Sequence, residues 1–163
     1  MQQESGLDII ISVFIRYSEL SAVKYDLEKG IIKVEIALNT SLTDQQRSKF
    51  VSSYNKTLGL FYKMGKFQPV FTKLSFLENT GITILRLYRD GKTLREDEME
   101  LFVLLLRQEF ASLLVRDDND MGLGALFSSE AKRTLMQKLG GSQKNYHNIF
   151  AYRDQGRVFV FNK

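Results

Sequence analysis

Apolar residues recur along the chain with two different periods, and these periods mark the predicted elements. Over residues 23–38 and 70–89, apolar and polar positions alternate, which is typical of half-buried strands. Over residues 43–62 and 93–115, apolar positions recur every three or four residues, as they do on one face of a helix. This order predicts an α+β fold, in which an antiparallel sheet carries two long helices on one face.

The first apolar segment, residues 7–17, is apolar at alternate positions and largely apolar at the positions between them. We interpret it as an N-terminal, interior strand of the sheet, because such a strand is covered on both faces. The apolar run contains Asp8 and is shorter than the roughly 20 residues that a helix needs to cross a bilayer. We therefore expect no membrane partner.

The first alternating region predicts a hairpin of residues 23–27 and 32–38. We place a two-residue loop at Lys29 and Gly30, although lysine is not the usual first residue of such a loop. This register pairs apolar side chains on one face and opposite charges on the other, namely Lys24 with Glu35 and Asp26 with Lys33. Each such pair is expected to contribute about 0.2–1 kcal/mol.

A helix follows each of the first two predicted hairpins. The first helix is capped by Ser41 or by Thr43, and Thr43 has Gln46 in the capping-box position. The second hairpin consists of residues 70–77 and 82–89. The repeated order of hairpin and helix gives a tandem of two ββα units, which either a duplication or independent patterning would produce.

Residues 93–115 form the longest and most apolar helical pattern. Thr93 and Glu96 have the spacing of a capping box, which predicts where this helix begins. Phe102 lies at the centre of the stripe that is expected to face the sheet. Because leucines also lie outside that stripe, a second surface in the chain or in a partner must cover the helix. These additional leucines are Leu101, Leu104 and Leu105.

The C-terminal region predicts a short helix over residues 129–139 and a hairpin of residues 148–153 and 157–162. The hairpin is expected to turn through three residues, Asp154, Gln155 and Gly156. That register places Arg153, Arg157, Phe159 and Phe161 on one face and Tyr152 on the other. Because both faces are largely apolar, a packed core or an interface is one interpretation, and a base-stacking platform is the other.

Charge is distributed unevenly over the expected single domain, residues 1–163. Residues 131–163 carry a formal charge of +6, whereas residues 1–130 carry −2. We therefore divide the domain into a sheet-and-helix core, residues 1–115, and a basic helix-hairpin appendage, residues 129–163. A basic surface attracts RNA or another polyanion. The candidate anion- or nucleic-acid-binding residues are Lys132, Arg133, Lys138, Lys144, Tyr152, Arg153 and Arg157.

Composition argues against most catalytic and metal chemistry. The 163 residues contain no cysteine and one histidine, His147, which excludes thiolate zinc sites and multi-histidine metal centres. A calcium loop beginning at Asp117 would place Met121 where an oxygen ligand belongs. We predict no catalytic residue, no metal site and no cofactor. An enzyme would have to use Asp117, Asp118, Asp120 or His147.

The sequence thus favours a non-catalytic binding or assembly module that acts in the cytoplasm. We expect it to bind a protein partner, most simply a second copy of itself, through exposed apolar residues. The candidate interface residues are Leu101, Leu104, Leu105, Phe159 and Phe161. The alternative is an RNA- or phosphate-binding protein that acts through residues 131–163, and an enzyme is the third hypothesis.

Overall fold

Six strands form one antiparallel sheet, and three helices cover one of its faces, within the residues that the structure describes. The structure is a computed structural model, and it describes residues 6–115, 148–154 and 157–162. The helices are α1 (Gly6–Arg16), α2 (Asp44–Gly65) and α3 (Glu96–Phe110), followed by a 3-10 turn at Ala111–Leu113. The strands are β1 (Ala22–Asp26), β2 (Ile31–Leu38), β3 (Thr72–Asn79), β4 (Ile82–Asp90), β5 (Asn148–Asp154) and β6 (Arg157–Asn162).

The strand order is β3-β4-β2-β1-β5-β6, and every neighbouring pair is antiparallel. The predicted α+β class is confirmed. The C-terminal hairpin extends the same sheet, because β5 pairs with β1. The predicted helix at residues 129–139 and the acidic segment around Asp117 lie outside the described residues.

The N-terminal segment is a helix, so the prediction of an N-terminal strand is wrong. Residues of α1 are buried around much of its circumference, including Leu7, Ile10, Ile11 and Phe14. A segment that is apolar at nearly every position fits a fully buried strand and a fully buried helix equally well. Here α1 packs against both β1 and α3, which provides cover on more than one side.

Helix α2 has Thr43 as its N-cap, which is one of the two caps that the sequence predicts. The Thr43 hydroxyl accepts a hydrogen bond from the backbone N–H of Gln46 at 3.1 Å, and the Gln46 side chain accepts one from the Thr43 N–H at 2.9 Å. This capping box satisfies two backbone donors that the first turn leaves without helical partners. The helix ends at Gly65, where Lys66 adopts a left-handed conformation with φ of 55°.

Helix α3 begins later than predicted, and the prediction of a capping box formed by Thr93 and Glu96 is wrong. Arg95 is the N-cap residue and provides no side-chain cap, whereas the Thr93 hydroxyl donates to the Asp90 carboxylate at 2.6 Å. The second cover that the sequence requires comes from within the chain, because α3 contacts both α1 and α2. Leu105 is buried by this packing, Leu101 is partly buried and Leu104 stays 56% exposed.

The first hairpin has a four-residue loop, so the predicted register is wrong by two residues. The last pair before the loop is Asp26 with Ile31, and Lys24 lies opposite Lys33 instead of Glu35. The Asp26 carboxylate accepts a hydrogen bond from the Lys29 N–H at 3.0 Å, and the Asp26 carbonyl accepts one from the Gly30 N–H at 2.8 Å. These bonds and the left-handed Gly30, with φ of 69°, stabilise the longer loop.

The C-terminal hairpin differs from its predicted register by one residue. Asp154 pairs with Arg157, which leaves two residues between the strands instead of three. A one-residue shift moves every side chain of a strand to the other face. Accordingly Phe159 and Phe161 share a face with Tyr152 and not with Arg153.

Candidate binding surface on the open face of the sheet

The two faces of the sheet have different environments. In β2, buried residues alternate with partly buried ones, and the buried set, Ile32, Val34, Ile36 and Leu38, packs beneath the helices. We call the opposite face, which includes Lys33 and Glu35, the open face. Its side chains point away from the helix layer because successive residues of a strand point to opposite sides.

One row of paired residues crosses the open face from one edge of the sheet to the other. Each member lies directly opposite the next one on the neighbouring strand. We call this set the cross-strand row, and its members in order are Lys73, Tyr88, Lys33, Lys24, Phe150 and Phe161. Three lysines and three aromatic rings therefore share one line, and the line contains no carboxylate.

The lysines of the row border a cleft of about 390 Å³, which we call the lysine cleft. Among the described residues, its charged lining consists of four lysines and one aspartate, namely Lys24, Lys29, Lys33, Lys73 and Asp26. Within the described ranges, Lys33 forms an ion pair with Glu35 at 3.7 Å, but Lys24, Lys29 and Lys73 form none. Glu35 also forms an ion pair with Arg86 at 3.0 Å, so its single negative charge is shared between Lys33 and Arg86.

Two lysines of the row lie over neighbouring rings. The Lys73 Nζ atom is 5.8 Å from the centroid of Tyr88, and the Lys24 Nζ atom is 5.6 Å from that of Phe150. These distances are within the range of cation–π attraction. The contacts hold cationic and aromatic groups side by side on the open face.

At the β5–β6 end, four rings form two stacked pairs, which we call the aromatic end. Phe150 stacks on Phe161, and Tyr152 stacks on Phe159, each pair with centroids 5.2 Å apart. Tyr152, Phe159 and Phe161 are each 40–43% exposed. A stacked cross-strand pair stabilises a hairpin, but it leaves the outer edges of these rings in water.

A group of ionisable side chains with shifted pKa values meets around the end of β4. The Arg89 guanidinium, 1% exposed, donates two hydrogen bonds of 2.7 Å to the Glu98 carboxylate and a further one to Asp90. Burial alone lowers the pKa of Arg89, but the hydrogen bonds and charge of Glu98 outweigh it and raise that pKa. Tyr62 donates to Glu98 at 3.0 Å, and burial raises the pKa of Tyr62 well above its usual range.

The same network determines the charge state of Asp90. Burial favours its neutral form, but hydrogen bonds from Thr93 and from the Phe71 N–H, together with the Arg89 charge, lower the pKa of Asp90. Each charged group here is hydrogen-bonded to other protein groups, and the single Arg89 guanidinium binds both carboxylates. We therefore assign the network to fixing the start of α3 against β4.

A larger groove, of about 750 Å³, lies beside the start of α3 and is lined by Phe67, Arg95, Glu96 and Glu100, among others. The Arg16 guanidinium binds Glu96 at 3.0 Å and Glu100 at 2.7 Å. Because its acids are paired with arginine, the groove offers no excess charge comparable to that of the lysine cleft.

The structure separates the candidate residues of the C-terminal hairpin. Tyr152 and Arg157 are exposed on the open face, whereas Arg153 points to the covered face. The Arg153 guanidinium donates to the Leu20 carbonyl at 3.1 Å and to the Tyr17 carbonyl at 2.9 Å. Arg153 thus anchors the hairpin to the end of α1. Lys132, Arg133, Lys138, Lys144 and His147 lie outside the described residues.

The interface candidates also separate. Phe159 and Phe161 belong to the aromatic end, whereas Leu104 is exposed on the helix layer on the other side of the molecule. The lysine cleft is not predicted from the sequence, because a two-residue loop pairs Lys24 and Lys33 with acids. The correct loop length would have shown two lysines facing each other.

Within residues 6–115, 148–154 and 157–162, no group of three or more metal-ligating side chains comes together. None of the described helices has the length and apolar character required to cross a membrane. Comparison with family models, with curated proteins and with solved structures found no match.

Proposed function

We propose that the protein is a non-catalytic assembly module that self-associates through its aromatic end. The observation that supports this proposal is the exposure of Tyr152, Phe159 and Phe161 side by side on the open face. Isolated exposed apolar residues are common, but adjacent aromatic rings form the kind of patch that marks interfaces. The absence of cysteine fits the proposed cytoplasmic location.

The position of the aromatic end at a sheet edge strengthens the proposal. Among the described residues, no strand pairs with the outer edge of β6. Its sequence, RVFVFN, has one charged residue, Arg157. Exposed and apolar edge strands readily pair with another chain. The opposite edge strand, β3, carries Lys73 and Glu78 and follows Pro69, features that discourage such pairing.

A second copy of the chain is the partner that this edge fits best. Two β6 strands related by a two-fold axis would pair antiparallel and would bring two aromatic ends onto one continuous open face. Each ring would then lose water-exposed area to an identical surface. This arrangement uses Phe159 and Phe161 and leaves Leu104 outside the interface.

Light scattering coupled to size exclusion tests the proposal at tens of micromolar protein. We expect the wild-type chain to elute as a dimer and the double variant Phe159→Ser/Phe161→Ser to elute as a folded monomer. Leu60→Ser is the matched control, since Leu60 is 59% exposed on α2. A monomeric wild-type protein overturns the proposal, and dissociation by Leu104→Ser alone moves the interface to the helix layer.

RNA or phosphate binding through residues 131–163 is the second proposal. It is supported by Tyr152 and Arg157, which are exposed on the open face. Replacing both residues, as Tyr152→Ala and Arg157→Gln, is expected to weaken binding of single-stranded RNA. Truncating a stacking ring costs about 1–3 kcal/mol. Unchanged affinity, measured by fluorescence anisotropy at low salt, would exclude these two residues.

A further inference from the structure

We propose that the lysine cleft binds the phosphate backbone of a single-stranded nucleic acid. This site is built from β1, β2, β3 and β4, and none of its described lining residues belongs to the basic C-terminal segment. It also shares no residue with the aromatic end. The inference therefore does not depend on self-association.

Charge placement is the first argument. Lys24 and Lys33 lie directly opposite each other in adjacent antiparallel strands, an arrangement that costs stability because like charges repel. Nearby carboxylates do not remove the excess. Asp26 caps the β1–β2 loop through the Lys29 N–H, and Glu35 is shared between Lys33 and Arg86. A bound phosphate would supply the missing negative charge.

Length is the second argument. Lys73 and Lys24 are three strands apart in the cross-strand row, and neighbouring strands lie about 4.8 Å apart. The lysines therefore extend over roughly 14 Å, which is more than one phosphate group contacts. A chain of phosphates fits this spacing better than a single anion.

An aromatic ring within the cross-strand row also favours a single-stranded ligand. Tyr88 lies directly between Lys73 and Lys33, and its side chain is partly exposed on the lining of the cleft. Proteins that bind single strands combine a cationic path for the backbone with aromatic rings on which bases stack. A duplex keeps its bases stacked inside and could not use the ring. These features favour a single strand over a duplex.

Fluorescence anisotropy with a 5′-labelled oligouridylate tests the proposal, and duplex RNA of the same length is the comparison ligand. The test variant is Lys24→Gln/Lys33→Gln/Lys73→Gln. The matched control is Lys49→Gln/Lys56→Gln/Lys63→Gln, which removes the same charge from exposed positions of α2. Circular dichroism establishes that both variants are folded.

We expect the test variant to bind more weakly and to lose salt dependence. Because each neutralised phosphate of a single strand contributes about 0.7 to the slope of log K against log salt, three lysines should reduce it by about 2. The α2 control should leave the slope unchanged. Tyr88→Leu should weaken binding roughly 5- to 150-fold. Tyr88→Phe keeps the aromatic ring and should bind like the wild type.

Four results would overturn the proposal. They are absence of binding by the wild-type protein at 50 mM salt, equal losses in the test and control variants, tighter binding of duplex than of single strand, and competition by uridine monophosphate as effective as that of the oligomer. Because the described lining of the lysine cleft shares no residue with the aromatic end, failure of self-association would leave this inference intact.

Discussion

The covered and open faces of the sheet treat charge in opposite ways. On the covered face, Arg89 is 1% exposed and is matched by Glu98 and Asp90 through short hydrogen bonds. On the open face, Lys24 lies opposite Lys33 and has no ion pair within the described residues. Burial forces every charge to find a partner, whereas water tolerates an excess. An excess retained on the open face is therefore available to a ligand.

Truncating an aromatic ring on each face should show the largest contrast. Phe102 is 1% exposed and packs edge-on against Phe50 and Tyr54, with centroids 6.4 and 5.9 Å away. Phe102→Ala should reduce the free energy of unfolding by about 3–5 kcal/mol. Phe159→Ala should cost about 0.5–1.5 kcal/mol, the value of one aromatic pair. Equal losses in urea denaturation would mean that both rings belong to the core.

Breaking the buried ion pair should cost nearly as much. Glu98→Gln removes two charge-assisted hydrogen bonds of 2.7 Å from the buried Arg89 guanidinium, which keeps Asp90 as a charged partner. This change should destabilise the fold by up to about 3–5 kcal/mol. Replacing all three charged groups, as Arg89→Met/Glu98→Leu/Asp90→Asn, should recover much of that loss because none of these charges is then buried. Chemical denaturation measures both variants. A triple variant less stable than Glu98→Gln would show that desolvation of charge is not the dominant cost.

Stability should depend on acid pH through Asp90. Its pKa is lower in the folded protein than in the unfolded chain, so the unfolded state binds more protons as pH falls. The contribution is complete above the unfolded value of about 3.9 and is lost as pH falls through the lower folded value. Asp90→Asn should flatten this dependence. Identical acid titrations of stability for the wild-type and Asp90→Asn proteins would contradict this assignment.

The sequence predicted elements with a distinct period and local capping. Helix α2 begins at its predicted cap because Thr43 and Gln46 interact within one turn. A strand is predicted where α1 is a helix, because a nearly uniform apolar run has no informative period. The helix instead depends on contacts with β1 and α3. Contacts between segments distant in sequence could not be derived from the pattern.

The candidate site depended on loop length. Charge pairing favours a two-residue loop in the first hairpin, but the Asp26 carboxylate stabilises a four-residue loop. A shift of two residues keeps each side chain on its face, so the predicted core side of the hairpin was correct. Cross-strand partners changed, however, and that change brings Lys24 opposite Lys33. The face of the sheet on which these lysines lie was predictable, but the charges that lie opposite one another across the strands were not.

The smallest expected effect tests whether the lysine arrangement favours binding at the expense of stability. Lys24→Glu places a carboxylate opposite Lys33 and should raise the free energy of unfolding on the order of 0.2–1 kcal/mol. The same change should reduce binding of single-stranded RNA, because it adds negative charge where a phosphate is proposed to lie.

Lys56→Glu is the control, because it makes the same charge change on the exposed side of α2, where no lysine of a neighbouring strand lies opposite. It should leave stability within about 0.5 kcal/mol of the wild type. If Lys24→Glu instead lowers the urea midpoint, then Lys24 stabilises the sheet, through its contact with Phe150 for example, and like-charge repulsion does not dominate at this position.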